Sequence, residues 1–170
     1  PECKRCSEAL CQAYIKQRGL DVVIPRLART YGPTMLMSDT KALSQFLKKG
    51  IAGEDIVLKS EGTQLFSYTY VADAVSAVLY CLLLGQCGVA YNIADSASDI
   101  RLRDLAAIIA NAAGRKVVFD LPDETERAGY STATKAVMES EKIRSLGWNA
   151  MYTMQTGLER TLSILKEERQ

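Results

Sequence analysis

The sequence predicts an α/β protein, and three observations support this class. Short runs of apolar, often β-branched residues alternate along the chain with segments whose apolar residues recur at helical spacing. The 170 residues, 48% of them hydrophobic and 24% charged, are enough for one real core. No repeat, low-complexity tract or long linker interrupts the alternation.

The first element is expected to be a helix over residues 3–18 that Gly19 ends. Its apolar stripe consists of Cys3, Cys6, Leu10, Ala13 and Tyr14. The consecutive apolar residues within 21–27 then predict a buried parallel strand, and Gly32-Pro33 predicts a turn.

The middle of the chain alternates in the same way. Asp39 is a candidate N-cap for a helix over 40–49 that Gly50 ends. Strands are expected at 55–59 and 65–70, and residues 71–84 form a helix so apolar that we expect burial on several sides. The remaining elements are expected at 89–94 (strand), 102–113 (helix, ended by Gly114), 117–121 (strand), a short helix ending at Leu146-Gly147-Trp148, and 154–168 (helix).

Charge and composition exclude several functional classes. The net charge is +1 and the basic residues are scattered, so neither a nucleic-acid partner nor a membrane partner is expected. The longest apolar run, around 75–84, is too short for a bilayer span, and no signal peptide is visible in residues 1–20. These features predict a cytoplasmic protein.

The five cysteines include a Cys3-x-x-Cys6 pair, which also occurs in redox and metal sites. The chain has no histidine and no second closely spaced pair, and both cysteines fall on the apolar stripe of the first helix. We therefore favour reduced thiols and predict no metal site.

No Gly-rich phosphate cradle is present. The chain contains neither G-x-G-x-x-G nor G-x-x-x-x-G-K-[ST], the turns that hold nucleotide phosphates in α/β folds. The first helix begins at residue 1 with no strand or loop before it. We therefore expect the sequence to start in the middle of a fold.

Several short motifs, in their order and spacing, resemble the second half of the extended short-chain dehydrogenase/reductase family, which contains the NAD-dependent nucleotide-sugar epimerases and dehydratases. They are Lys4, Arg26-Leu-Ala-Arg-Thr-Tyr-Gly-Pro33, Gly62-Thr-Gln64, Tyr70-Val-Ala-Asp73, Tyr91-Asn-Ile-Ala94, Arg127-Ala-Gly129 and Leu146-Gly-Trp148. The resemblance implies the C-terminal part of a doubly wound Rossmann-like sheet plus a small mixed α/β substrate-binding domain. Residues 1–33 would be the remnant of the NAD-binding domain and 34–170 mainly the substrate-binding portion, with elements around 65–94 returning to the first domain.

The resemblance assigns a catalytic role to Lys4. The family carries Tyr-x-x-x-Lys on a helix, and Lys4 fits its Lys, so the Tyr would directly precede Pro1. Residues four apart share a helix face, and an ammonium there favours the phenolate of a general acid/base. The Lys also holds the nicotinamide ribose of NAD. The alternative is a solvated helix lysine.

The resemblance also implies binding residues for cofactor and substrate. Arg26, Leu27 and Ala28 would border the nicotinamide at the carboxyl end of a strand. The family has Asn where this chain has Arg29, which either reaches a phosphate or carboxylate or is a surface arginine.

The stretch from Gly62 to Asp73 resembles a family motif that contacts the substrate. Gln64 matches it, but Phe66 replaces an Arg that pairs with the diphosphate, so Arg29 is expected to supply that charge. Arg127 resembles a phosphate-binding Arg, with an ordinary loop arginine as the alternative. We expect Asp73 to cap or orient the start of its own helix, and Trp148 to serve packing.

Two functions are open at this point. The first is the substrate-side part of an NAD-dependent nucleotide-sugar epimerase/dehydratase that is inactive on its own and forms a homodimer through the first helix. The second is a non-catalytic nucleotide-sugar-binding or interaction module.

Overall fold

The computed structural model describes residues 2–121 and 133–167, and it confirms the alternation of helices and strands. The helices are α1 (Glu2–Arg18), α2 (Ala42–Ala52), α3 (Val71–Leu84), α4 (Leu102–Ala113), α5 (Glu141–Ser145) and α6 (Met154–Glu167). The strands are β1 (Ile24–Leu27), β2 (Arg29–Tyr31), β3 (Ile56–Leu58), β4 (Leu65–Tyr70), β5 (Ala90–Ile93), β6 (Asp99–Arg101), β7 (Val117–Phe119) and β8 (Lys135–Ala136).

Within the described residues the strands form three small sheets. Strand β1 pairs in parallel with β5, and β3 pairs in parallel with β7. Strand β4 is the centre of the third sheet: its second half pairs in parallel with β2, and its first half pairs with antiparallel β6 and parallel β8. This mixture of parallel and antiparallel pairs confirms the expected α/β class.

Two clusters of buried side chains hold these elements together. The main core lies between β3, β4 and the helices α2, α4 and α6. The second cluster, here called the α3 core, consists of Ala77, Cys81, Tyr91, Ile93, Ile143 and Trp148. Trp148 is fully buried there, as the sequence predicts, and its Nε1 donates to Ser76 Oγ at 3.0 Å.

Helix α2 begins and ends later than the sequence predicts. Asp39 accepts the backbone N–H of Lys41 and the hydroxyl of Ser44, so it stabilises the turn before the helix rather than acting as its N-cap. Gly50 lies inside the helix, and the left-handed residue that ends it is Gly53, at φ 72°.

Helices α1 and α3 are more exposed than their apolar patterns suggest. None of the residues of α1 is buried. In α3 the buried residues are Asp73, Ala74, Ala77 and Cys81, whereas Leu82 and Leu83 are 72% and 77% exposed, so the expectation of burial on several sides is wrong. No helix in residues 2–121 and 133–167 is both long and apolar enough to cross a bilayer.

Some strands begin or end at other residues than the sequence predicts, because cross-strand pairing rather than hydrophobicity determines their bounds. Strand β1 begins at Ile24, later than expected, and β7 ends at Phe119. The strands β2, β6 and β8 have two or three residues each and no distinct apolar run. They exist because each one pairs with β4.

Candidate functional site

A pocket of about 270 Å³ lies where β1, β2 and β4 come together. Its walls are formed by Leu27, Ala28, Arg29, Ser67 and the segment 136–138. The chain leaves β1 at Leu27 and enters β2 at Arg29, so the pocket is at the carboxyl end of β1. In α/β sheets this end of a parallel strand is where ligands bind, because the turns that follow the strands open a crevice there.

Arg29 stacks on the ring of Phe66 beside the pocket. Its guanidinium carbon is 3.8 Å from the ring centroid, within the range of a cation–π contact. The two residues lie on neighbouring strands, since β2 and β4 pair in parallel with Arg29 opposite Tyr68. Arg29 is exposed, and it belongs to none of the ion pairs among the described residues. The structure thus brings together the two positions where the sequence departs from the family motifs.

Ser67, which lines the pocket, is hydrogen-bonded to two other parts of the chain. Its hydroxyl donates to Asp99 Oδ1 at 2.5 Å and accepts the backbone N–H of Met138 at 2.9 Å. Ser67 is 1% exposed, so these bonds are shielded from water. They fasten the wall segment 136–138 to β4 and β6.

The hydrogen-bond partners of Ser67 are 32 and 71 residues away in the sequence. The only signal for this junction in the sequence is a serine within a strand that is rich in aromatic residues. That signal predicts neither Asp99 nor Met138 as its partner.

Helix α1 directs Lys4 toward the same end of β1. The Glu8 carboxylate pairs with the Arg26 guanidinium on β1, and one turn later Gln12 donates to the carbonyl of Gly88, just before β5 begins. The helix therefore runs antiparallel to β1 and β5. Lys4 precedes Glu8 by one turn on the same face, which places it toward the carboxyl end of β1.

The side chain of Arg26 is engaged by α1. Its Nε and Nη2 donate to the two carboxylate oxygens of Glu8 at 2.8 and 2.6 Å, a bidentate pair. These hydrogen bonds hold the pKa of Glu8 below its ordinary value and raise the pKa of Arg26. The guanidinium of Arg26 is therefore occupied by Glu8 and is not free to contact a cofactor. Among the other two cofactor candidates, Ala28 donates its N–H to Ile93 at 3.0 Å, and Leu27 is 51% exposed.

Of the other two substrate-binding candidates, Gln64 does not line the pocket. Gln64 lies just before β4, and its backbone carbonyl accepts the N–H of Leu102 at 3.0 Å. Its side-chain Oε1 is buried and has no hydrogen-bond partner in the described part of the chain. Arg127 lies outside the described residues.

Comparisons with known proteins identify relatives of this chain. The model of the NAD dependent epimerase/dehydratase family matches residues 1–94. UDP-glucuronic acid decarboxylase 1 of Xenopus tropicalis is 26% identical over 170 residues, which cover 98% of this chain and 38% of that protein.

Solved structures with the same fold include two epimerases. UDP-glucose 4-epimerase from Thermotoga maritima, solved with UDP-glucose, has a TM-score of 0.84 at 20% identity over 98% of this chain and 52% of that chain. UDP-glucuronic acid 4-epimerase from Bacillus cereus, solved with UDP-glucuronic acid and NAD, has a TM-score of 0.76 at 20% identity over 95% of this chain and 50% of that chain. The chain thus spans about half the length of these solved structures, and less of the curated relative.

Proposed function

The chain belongs to the NAD-dependent epimerase/dehydratase family, and from this premise we propose that it forms the substrate side of an enzyme that epimerises or dehydrates a nucleotide sugar. The observation that carries the proposal is the pocket at the carboxyl end of β1, with Arg29 in its wall and the first turn of α1 directed toward it. The relatives support the substrate class, because their names and bound ligands include UDP-glucose and UDP-glucuronic acid.

The residues present fit one end of NAD. Lys4 is exposed on α1, outside every ion pair of the described residues, so its ammonium is free to bind ribose hydroxyls. Leu27 and Ala28 line the same crevice, and Arg26 directly precedes them on β1. Residues 1–170 contain no Gly-rich turn for the diphosphate, so the fit covers the nicotinamide end only. When bound, NAD supplies the acceptor for a hydride from the sugar.

Lys4 acts in this scheme through its positive charge. An ammonium on the helix face directed to the carboxyl end of β1 lowers the pKa of a phenol one turn earlier on that face. It thereby prepares that phenol to take a proton from a sugar hydroxyl. Arg29 binds the anionic part of the substrate, and Arg127 is proposed as a second contact to its phosphates.

We assign the exposed face of α1 to a homodimer contact. Leu10 and Tyr14 are 54% and 53% exposed, and Cys3 and Cys6 are exposed on the same helix. Large exposed apolar side chains on one helix face are typical of interfaces. Sedimentation of the natural polypeptide should show a dimer, and Tyr14→Glu should shift it to the monomer. A monodisperse monomer of the unmodified protein would contradict this assignment.

The decisive experiment uses the natural polypeptide that contains this chain, supplied with NAD and with UDP-glucose, UDP-glucuronic acid or dTDP-glucose. We expect conversion of at least one of these sugars, and Lys4→Met should lower kcat by about 100-fold, in line with the size of proton-transfer catalysis. Lys16→Met, near the other end of α1, is the matched control and should retain kcat. Absence of conversion of all three sugars, or an unchanged kcat in Lys4→Met, would refute the proposal.

A further inference from the structure

Arg29 and Phe66 are in contact at the edge of a pocket, and this contact has a functional consequence. We propose that they form one oxyanion-binding unit, in which Arg29 binds a phosphate or carboxylate group of the ligand and Phe66 is the positioning residue that orients the guanidinium. The proposal rests on the proposed function only for the identity of the ligand as a nucleotide sugar.

The charge of the pocket favours an anion as the ligand. Of its described lining residues, Arg29 alone is charged, and the others are Leu27, Ala28, Ser67, Ala136, Val137 and Met138. Among the described lining residues the guanidinium meets no carboxylate, and the Asp99 carboxylate behind Ser67 accepts the hydroxyl of that serine. The planar fork of Arg matches the oxygens of a carboxylate or phosphate, which it binds through two parallel hydrogen bonds.

Arg26, three residues earlier, shows what Arg29 lacks. The fork of Arg26 is filled by the two oxygens of Glu8 at 2.8 and 2.6 Å, so that arginine has its anion within the chain. Arg29 has instead an aromatic ring, which holds a cation by its quadrupole and does not neutralise it. Its charge therefore remains available to a ligand.

Phe66 is well suited to fix the plane of the guanidinium. Stacking covers one face of the guanidinium and leaves the N–H donors at its edge free, because those donors lie in the plane. The backbone of Phe66 is held from both sides, since it is paired with Ile100 of β6 and Ala136 of β8. The Phe66 ring thus belongs to the central strand of its sheet. The guanidinium of the more exposed Arg29 packs on this fixed ring.

The test is a nuclear magnetic resonance titration of the natural polypeptide, observing the Nε–H signals of arginine. Inorganic pyrophosphate and D-glucuronate are added separately, as probes for a phosphate source and for a carboxylate source. We expect the Arg29 signal to shift saturably with at least one probe, and that probe identifies the source. Arg29→Gln should weaken its binding at least about tenfold, as expected when a charge-assisted bidentate contact is lost. No saturable shift with either probe, or unchanged affinity in Arg29→Gln, would overturn the proposal.

Variants of Phe66 test its positioning role separately. Phe66→Leu should weaken binding of the same probe by about threefold, the size expected for an exposed cation–π contact, and should broaden the Arg29 signal. Phe66→Trp keeps an aromatic face and should restore both properties. Equal affinity and an unchanged Arg29 signal in Phe66→Leu would show that the ring does not orient the guanidinium.

Arg115→Gln is the matched control, because Arg115 follows α4 and does not line the pocket. It should bind the probe with unchanged affinity, and a loss equal to that of Arg29→Gln would reveal a general charge effect and overturn the proposal. The measurement needs neither turnover nor a nucleotide. A protein that binds the probe through Arg29 but converts no nucleotide sugar would therefore refute the proposed function and leave this inference standing.

Discussion

The Asp73 carboxylate accepts the backbone N–H groups of Met151 and Tyr152, at 2.9 and 3.1 Å. Asp73 lies in the first turn of α3 and is 1% exposed, yet it forms no capping hydrogen bond with its own helix. It instead ties α3 to the segment that leads into α6, where Tyr152 packs against the main core. Of the two expected roles, capping is thus corrected, whereas the hydrogen bonds do orient the start of α3 by joining it to a distant part of the chain.

Asp73→Asn should destabilise the protein by about 2 kcal/mol, the scale of buried hydrogen bonds to a charged group. The amide keeps one acceptor oxygen, but its NH₂ group faces a backbone N–H that then lacks an acceptor. Urea unfolding at neutral pH measures the loss. Asp104→Asn is a matched control, since Asp104 holds the same position in the first turn of α4 but is exposed. If the two variants lose equal stability, helix-dipole effects and not the buried hydrogen bonds explain the role of Asp73.

Gly157→Ala should destabilise the main core by about 1–3 kcal/mol, the usual cost of overpacking. A Cβ at Gly157 would overlap with Tyr31 Oη and lie 3.3 Å from Tyr70 Cδ2. Tyr31 has little room to retreat, because its ring packs edge-on against Tyr68 and Tyr70. Thermal unfolding is the measurement, and Gly50→Ala is the control, since its Cβ would come no closer than 3.3 Å to a neighbouring side chain.

A double variant identifies the clash. Tyr31→Phe removes the oxygen that a Cβ at Gly157 would meet, so Tyr31→Phe combined with Gly157→Ala should lose less stability than the sum of the two single losses. Strict additivity would mean that the contact with Tyr31 Oη is not the cause.

Much of the fold could be predicted from the sequence because it depends on local patterns. The bounds of β4, α3 and α4 are those that apolar runs and a terminal glycine predict. The environment of α3 could not be predicted in this way, because a helix that is apolar all round does not indicate which side packs inside the chain. Leu82 and Leu83 are apolar like Ala77 and Cys81 on the same helix, but they are exposed whereas Ala77 and Cys81 are buried.

In the candidate site, the sequence predicts which residues follow one another at the end of a strand, but not which side chains touch across strands. The order of motifs placed Leu27, Ala28 and Arg29 at the end of a strand, and they do line one pocket. The stack of Arg29 on Phe66 depends on the parallel pairing of β2 with β4, which no spacing in the sequence encodes.

The ion pair between Glu8 and Arg26 should make stability depend on pH in the acid range. Arg26 hydrogen bonds hold the pKa of Glu8 below its ordinary value of 4.5, so the ionised carboxylate is favoured in the folded state. The resulting stabilisation is complete above the unfolded-state pKa and is lost as the pH falls through the lowered folded-state pKa. Glu8→Gln should therefore be less stable than the unmodified protein at neutral pH, and this difference should shrink in acid.

A carbon-detected titration of the Glu8 carboxyl group checks the cause directly. Its midpoint should lie below 4.5 in the unmodified protein and should return toward that value in Arg26→Gln. A midpoint that Arg26→Gln leaves in place would show that another group lowers the pKa. Because the pair is partly exposed, high salt should also reduce the difference in the Glu8 midpoint between the unmodified protein and Arg26→Gln.

Ser67→Ala should loosen the wall of the pocket without disrupting the fold. The substitution leaves the N–H of Met138 without its acceptor at 2.9 Å and frees the Asp99 carboxylate from the Ser67 hydroxyl. Loss of the hydrogen bond to the Met138 N–H costs about 1 kcal/mol, which corresponds to roughly fivefold faster opening of this wall segment. Amide hydrogen exchange at Met138 would measure this rate. The exposed Ser163, whose hydroxyl bonds to Glu167 on the same helix, provides the control Ser163→Ala. Slow exchange at Met138 that survives Ser67→Ala would mean that pairing of β8 with β4, and not the serine, holds this wall in place.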